Sequence, residues 1–416
     1  MRNASKLRGL SNFIFLLLLF VLSFLHLLFA FRTNLYFSVD DFRVLEYFKD
    51  HGVLKMIIDF LLHGDMFGYR KFIGYLFFGT LFEIFKVNPA PYIILMFLIH
   101  TLNLFFLFFI LKRISSNDFV AFFLSVLFNR LYLFYFSNIH EISAALFCLI
   151  SIFLFLKYPK NILFSLIFYV LALFSKELSY SLPFAILAIS YIKGINVKKS
   201  FPFFIVLFLY ALYQSYFLFV VKSLSFVKSY GVTFDFANLV SAISFYVGWP
   251  LIFFLCFLPI LFKDLKPVLF LLIFAMTIFP VMFFGARREL YYLYIPSIYL
   301  SIYISLFMRK IDFKTILVCL VLLFLFGGRS VFPKIAWHVF PNWQKVSIEN
   351  VVKRVEGSLV DMPSTRVIDL SDLNLERDAR LMLAHNVLDL FINESFSGKY
   401  TFMYNSEEKS VLALMK

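Results

Sequence analysis

The chain has 416 residues, of which 62% are hydrophobic and only 15% charged, with a formal net charge of +14. A water-soluble domain carries far more charge, so this composition excludes a soluble globular protein and reads as a polytopic membrane protein. The basic balance does not point to nucleic acid, because the Lys and Arg residues fall in short clusters between apolar runs, as cytoplasmic loops do.

The N-terminal "MRNASKLRGL" is basic and precedes an apolar stretch of about 19 residues, long enough to span a bilayer. No small-residue cleavage site follows, so the segment reads as a retained anchor that starts in the cytoplasm. Further runs long enough to cross follow at 91–111, 119–137, 141–156, 161–174, 178–192, 201–221, 239–262, 267–284, 290–308 and 313–327, after the first at 13–31. Segment 70–86 is ambiguous. If it stays at the outer surface, Arg2, Lys6, Arg8, Lys112, Arg113, Lys157, Lys160, Lys193, Lys198, Lys199, Lys263, Lys266, Arg309, Lys310 and Lys314 all fall on the cytoplasmic side. A lone crossing there would flip the parity and move most of these loops outside. The expectation is therefore an all-α polytopic membrane protein with about eleven transmembrane helices, within a range of roughly 10–12. Residues 32–90 form its first external loop, 1–327 its membrane-embedded unit, and 328–416 a small external α/β tail. In the tail "TRVIDL" and "KYTFMY" read as strands and 374–392 as an amphipathic helix.

The same assignment gathers mixed-charge groups at the outer ends of the spans: Asp40 and Asp41, Arg70, His140 and Glu141, Lys176 and Glu177, and Arg287, Arg288 and Glu289. Ionisable groups at membrane depth are expensive and usually face a cavity or a partner. One outward-facing polar cavity holding acids and bases is the simplest arrangement.

In the first loop, Phe42, Leu45 and Phe48 recur at three-residue steps with Asp41, Glu46 and Lys49 between them, the pattern of a helix lying in the interface plane. Gly52 is the expected stop. Ser38 and Asp41 have the spacing of a capping box, which accounts for Asp41 as a helix-start residue and leaves Asp40 as the better general base. A divalent cation shared by the two carboxylates is the alternative use of the pair, although spacing offers no third ligand.

"LFSKELSYSLP" places Lys176 and Glu177 between apolar runs. On a helix, adjacent residues do not face each other, so Lys176 is assigned an anionic partner such as a lipid phosphate, with an intramembrane ion pair as the other reading. "GARRELYYLYIPS" puts Arg287 and Arg288 on the outer side against the positive-inside trend, and a phosphate matched by their guanidinium forks supplies a reason. Pairing with Glu289 or with the acids of the first loop is the alternative. Tyr291, Tyr292 and Tyr294 read as an interfacial aromatic belt. No HExxH, P-loop, GxGxxG or CxxC pattern occurs. Cys148, Cys256 and Cys319 each lie in an apolar run and predict neither a disulfide nor a thiolate metal site.

In their order along the chain, "VDDF", "YR" at 69–70, "FSKELSYSLP" and "RRELYYLYIPS" resemble the motifs of the GT-C class of integral-membrane glycosyltransferases, particularly the protein O-mannosyltransferase-like branches. The resemblance covers about residues 10–310 and departs from the family at "YRK", where relatives often have Arg-Pro. It implies a polyprenyl-phosphate-linked sugar donor and transfer to an acceptor hydroxyl on the external face, in a prokaryotic inner membrane. Carried onto this chain, it makes Asp40 the base, with Asp41 beside it. Lys176, Arg288 and Arg287 become the groups that hold the donor phosphate. Arg70, His140, Glu141, Glu177 and Glu289 are the remaining charged or titratable residues of the site. Membrane lipids are expected partners and the acceptor is open. A transporter or lipid-linked-sugar flippase is the rival reading; such proteins show repeated halves and Gly/Pro-broken helices at mid-membrane, whereas here the charges cluster at one face.

Overall fold

The computed structural model describes residues 2–32, 39–62, 72–129, 138–219, 235–246, 249–284 and 290–308, together with parts of 350–415. These form helices α1 (Arg2–Arg32), α2 (Val39–Leu62), α3 (Phe72–Phe85), α4 (Pro89–Ser115), α5 (Asp118–Asn129), α6 (Ile139–Lys157), α7 (Leu163–Leu173), α8 (Leu182–Lys193) and α9 (Phe201–Phe219). They continue with α10 (Phe236–Tyr246), α11 (Trp249–Phe262), α12 (Val268–Ile278) and α13 (Tyr294–Met308). Among the described residues, Pro89–Ser115, Ile139–Lys157 and Tyr291–Met308 are long and apolar enough to cross a bilayer, and several shorter apolar helices pack beside them. The protein is accordingly a helical membrane protein.

Local chemistry sets the helix ends. Asn88 accepts the Ala90 N–H at 3.1 Å and Pro89 occupies the first turn of α4, where its missing N–H has no consequence. Ser116 closes α4 in the left-handed region, and Asn117 Oδ1 accepts from the N–H groups of Phe119 and Val120 to start α5. Gly52 (φ +71°) breaks α2 into two helical stretches, so the expected stop is a kink and the helix resumes as far as Leu62. Residues 239–262 contain two helices, α10 and α11.

Side-chain contacts fix which loops share an end of the bundle. At one end Lys112 meets Asp118 at 2.7 Å and Asn12 at 2.5 Å, and Lys193 donates to the carbonyls of Arg113 and Ile114. Arg113 and Lys157 both lie over the ring of Phe153, and Lys266 lies over Tyr191. The basic loops thus form one collar. α4 and α6 run parallel toward it, since both end there at Arg113 and Lys157 and Asn103 bonds to the Ile142 carbonyl farther back at 2.9 Å. α3 begins with the Ile73 N–H on the Phe174 carbonyl and ends where Tyr92 caps the Lys86 carbonyl, both far from the collar.

Two prolines show how the apolar interior satisfies its backbone. Pro259 lies inside α11 and Pro280 follows α12, so neither supplies the N–H that the carbonyl four residues earlier requires. The Tyr303 hydroxyl donates to the Leu255 carbonyl and the Tyr180 hydroxyl donates to the Met276 carbonyl. An orphan carbonyl in hydrocarbon has no water to turn to, which explains two tyrosines placed where Phe would pack as well.

In the tail, residues 350–356 are helical and three strands, β1 (Arg366–Asp369), β2 (Tyr400–Asn405) and β3 (Ser410–Met415), form an antiparallel sheet in the order β1-β3-β2. Both expected strands are present, and the third strand, β3, lies between them. Ile368, Phe402, Val411 and Ala413 are buried on one face, as are Val351 and Val355 of the helix. The expected helix at 374–392 falls mostly outside the described residues.

Tyr303→Phe should lower stability by about 1–3 kcal/mol, the cost of an unsatisfied buried acceptor. In a Pro259→Ala background the Leu255 carbonyl regains a helical partner, so the same substitution should cost much less. Thermal unfolding of the four proteins of this cycle checks the coupling; equal costs in both backgrounds would remove the explanation.

Candidate functional site

The end of the bundle away from the basic collar collects the charged residues singled out in the sequence. α6 opens with Asn138, and His140 and Glu141 sit in its first turn, where a carboxylate is favoured by the helix dipole. α7 stops at Leu173, and the N–H groups of Ser175 and Lys176 both bond to the Ala172 carbonyl at 3.0 Å. Lys176 is extended (φ −155°, ψ 134°), after which Glu177–Ser181 forms a 3-10 turn and Pro183 enters the first turn of α8. The break delivers the lysine side chain sideways to α6.

There Lys176 Nζ lies 2.5 Å from Glu141 Oε1 and 3.5 Å from Glu177 Oε1, and 5.2 Å from the centre of the Tyr292 ring. Lys176 and Glu141 are almost wholly buried, whereas the Glu177 side chain is 45% exposed. The structure therefore gives Lys176 an internal anionic partner, the ion-pair reading left open above. Lys176 also approaches its neighbour Glu177, at the junction of an extended residue and a 3-10 turn, where the helical premise against pairing does not apply. The rise along α6 from Lys157 to Glu141 is about 24 Å. That is most of a hydrocarbon core of ~30 Å, so the pair lies near the boundary opposite the collar.

His140 is buried edge-on against Tyr75, with ring centres 4.3 Å apart. A Cβ on Gly74 would come within 2.0 Å of His140 Nδ1, so α3 reaches α6 only because residue 74 is glycine. Asp41 lies in the first turn of α2 and is 1% exposed, beside the buried Phe42, Leu45 and Phe48. α2 is covered by α3, where Phe78 and Phe82 stack on Phe48, and by the tail, where Phe391 meets Phe42. Asp41 is close enough to Tyr92 to act on the phenol electrostatically. The backbone of Asp40 belongs to the same turn, while its side chain lies outside the described residues. Arg70, Arg287, Arg288 and Glu289 also lie outside them, as does Ser38 of the expected capping box. Phe284 and Tyr292, on either side of 285–289, have ring centres 5.8 Å apart at this end of the bundle.

Below the ion pair lies a polar layer that sequence reasoning missed. Asn103 Nδ2 donates to the Tyr294 hydroxyl at 3.1 Å, that hydroxyl lies 2.5 Å from His100 Nδ1, and His100 Nε2 lies 2.9 Å from Asn129 Oδ1. Since Asn129 Oδ1 can only accept, His100 carries a proton on Nε2 and donates it there. His100 and Asn103 stand three residues apart in an apolar run, one face of one helix, and that spacing was the available signal. Tyr292 and Tyr294 are each 2% exposed, so they belong to the bundle interior and not to an interfacial belt. Their place at the start of a span fits either location; the neighbours Lys176 and His100 decide it.

Among the described residues no three His, Cys, Asp or Glu side chains converge as metal ligands. The arrangement offers a fixed cation, a half-exposed carboxylate at the rim and a buried aspartate at one face of the membrane. In such a buried setting water screens the Lys176–Glu141 attraction little.

Lys176→Met or Glu141→Leu alone should destabilise the protein by about 3–5 kcal/mol, because each strands a buried charge, and the double variant should cost less than either. Denaturation in detergent measures this; additive losses would mean that the two side chains are not a coupled pair. No protein-family model, curated protein or solved structure matches this chain.

Proposed function

We propose that the protein is a GT-C-type glycosyltransferase that moves a sugar from a polyprenyl-phosphate donor to an acceptor hydroxyl at the external face of a prokaryotic inner membrane. The observation that carries the reading is the gathering of Asp41, His140, Glu141, Lys176 and Glu177 at the bundle end opposite the basic collar. By the positive-inside rule that collar is cytoplasmic and the site external.

In this reading about eleven helices cross the membrane. α3 lies at the external side with α2, and 328–416 is an external tail domain. Two contacts support the parity. Phe307, near the end of α13, packs on Phe262, next to the collar residue Lys263, while Phe391 of the tail packs on Phe42 of α2 at the other end. In this reading the apolar run 313–327 supplies the crossing between them.

The reaction is a single displacement. The acceptor oxygen attacks the anomeric carbon, Asp40 takes the hydroxyl proton with Asp41 orienting it, and the bond from that carbon to the phosphate oxygen breaks. The leaving polyprenyl phosphate gains negative charge, which Lys176, Arg287 and Arg288 stabilise more in the transition state than in the ground state. One base and no covalent nucleophile give inversion at the anomeric carbon. Glu141 holds Lys176 in place, and Arg70, His140, Glu177 and Glu289 complete the polar wall. A divalent cation on Asp40 and Asp41 is the variant of this scheme. The flippase reading draws on one feature, the helix broken at Lys176, a device that transporters use at substrate sites.

Two measurements test this. On a cysteine-free background, Lys86→Cys should react with an impermeant maleimide from outside and Lys198→Cys only after permeabilisation; labelling of both from one side would overturn the topology. Purified full-length protein given radiolabelled polyprenyl-phosphate sugars should release polyprenyl phosphate, with Asp40→Asn about a hundredfold slower or worse and Arg288→Ala binding donor more weakly. Equal turnover by Asp40→Asn would remove it from the mechanism, and translocation of intact donor would favour the flippase.

A further inference from the structure

A groove of about 730 Å³ lies between α8 and α12, well away from the site above. The two helices are antiparallel and each contributes a stripe at helical spacing. Ala188 and Ile273 are buried at its floor, Phe184 and Met276 line the end toward Lys176, and Tyr191 and Val197 line the end at the basic collar. The rim faces the lipid, with Leu272 60% exposed.

The two ends differ in kind. Toward Lys176 the Tyr180 hydroxyl, just before α8, donates to the Met276 carbonyl at 2.5 Å and ties the two sides of the groove together. At the collar it opens beside Lys198, next to Val197, and Lys266, which lies over the Tyr191 ring at 5.9 Å. The acid of this rim, Asp264, turns its carboxylate onto the Lys266 N–H and caps its own turn. Lys193 is turned away onto the end of α4. The stripe from Phe184 to Tyr191 is about 10 Å long, the upper part of one acyl chain in one leaflet.

We infer that this groove holds an acyl chain of an anionic diacyl phospholipid of the collar-side leaflet, with its phosphate at Lys198 and Lys266. The apolar groove takes hydrocarbon, and the two exposed cations at the collar end select charge. A straight stripe of about 10 Å beside two surface lysines fits one acyl chain below its own headgroup. The inference does not depend on sugar transfer.

Native mass spectrometry of the full-length protein, delipidated and then titrated with phosphatidylglycerol or phosphatidylcholine, tests it. Phosphatidylglycerol should be retained about tenfold better, as two lysines near a surface phosphate allow. The Lys198→Ala/Lys266→Ala variant should lose that preference while keeping its fold. Ala188→Trp should abolish retention of either lipid; Leu272→Trp, on the exposed rim, serves where the buried substitution does not fold. Equal retention of both lipids by the unmodified protein, or undiminished phosphatidylglycerol in the tryptophan variant that folds, would overturn the inference. Displacement of bound phosphatidylglycerol by polyprenyl phosphate alone would assign the groove to the donor instead and overturn it too.

Discussion

A lysine and a glutamate buried at the same spot in an apolar bundle constrain much of what surrounds them. Neither charge is tolerable alone at membrane depth, so each dictates where the other must be. The Lys176–Glu141 contact ties the tip of the α7–α8 hairpin to the first turn of α6. To make it, the chain gives up helix at residues 174–181. Each carbonyl and hydroxyl freed there has to be used again: Ala172 O takes two backbone N–H groups and the Ser179 hydroxyl, and Leu171 O takes the Ser175 hydroxyl. The serines of "FSKELSYS" are thus part of the device that presents the lysine. Tyr292 covers the cation with its ring face, which brings the start of α13 into the same arrangement.

The polar layer beneath extends this constraint to the rest of the bundle. Asn103, Tyr294, His100 and Asn129 form one chain of hydrogen bonds, which ties α4, α5 and α13 together with the imidazole at the centre. Such a network in a low-dielectric interior is stiff when satisfied. Tyr292 and Tyr294 stand two residues apart and engage different layers, so the segment entering α13 is fixed from both. Residues 285–289, with the two arginines, lead directly into that segment.

How much of this could be read in the sequence follows from the kind of interaction involved. Apolar runs are local, so the spans at 91–111 and 141–156 match α4 and α6 closely. Among the described residues Asp41, His140, Glu141, Lys176 and Glu177 share one end of the bundle, a grouping that loop charge, a sum over local features, already suggests. Glu141 and Lys176 were each marked, yet as separate motifs. Their pairing is long-range and depends on an extended backbone at Lys176 that local sequence does not announce. The burial of Asp41 depends likewise on distant segments, since the stripe Phe42–Leu45–Phe48 shows that α2 is covered but not that α3 and Phe391 of the tail cover it. The tyrosines that answer Pro259 and Pro280 were invisible for the same reason: a proline announces an orphan carbonyl, but not which distant hydroxyl reaches it.

The acidic helix is where bundle and tail meet. One side of α2 stacks Phe48 on Phe78 and Phe82 of α3, and Phe42 meets Phe391 of the tail. α3 is in turn seated on His140 through the absence of a side chain at Gly74. Asp41, next to Phe42, is therefore positioned by contacts from three parts of the chain, of which only α6 carries the ion pair. Gly52 separates this gripped stretch of α2 from its continuation, so displacement of the second stretch is not transmitted rigidly to the carboxylates. The tail acts on this stretch of α2 through Phe391 against Phe42, so a change in the tail reaches Asp41 by way of its neighbour.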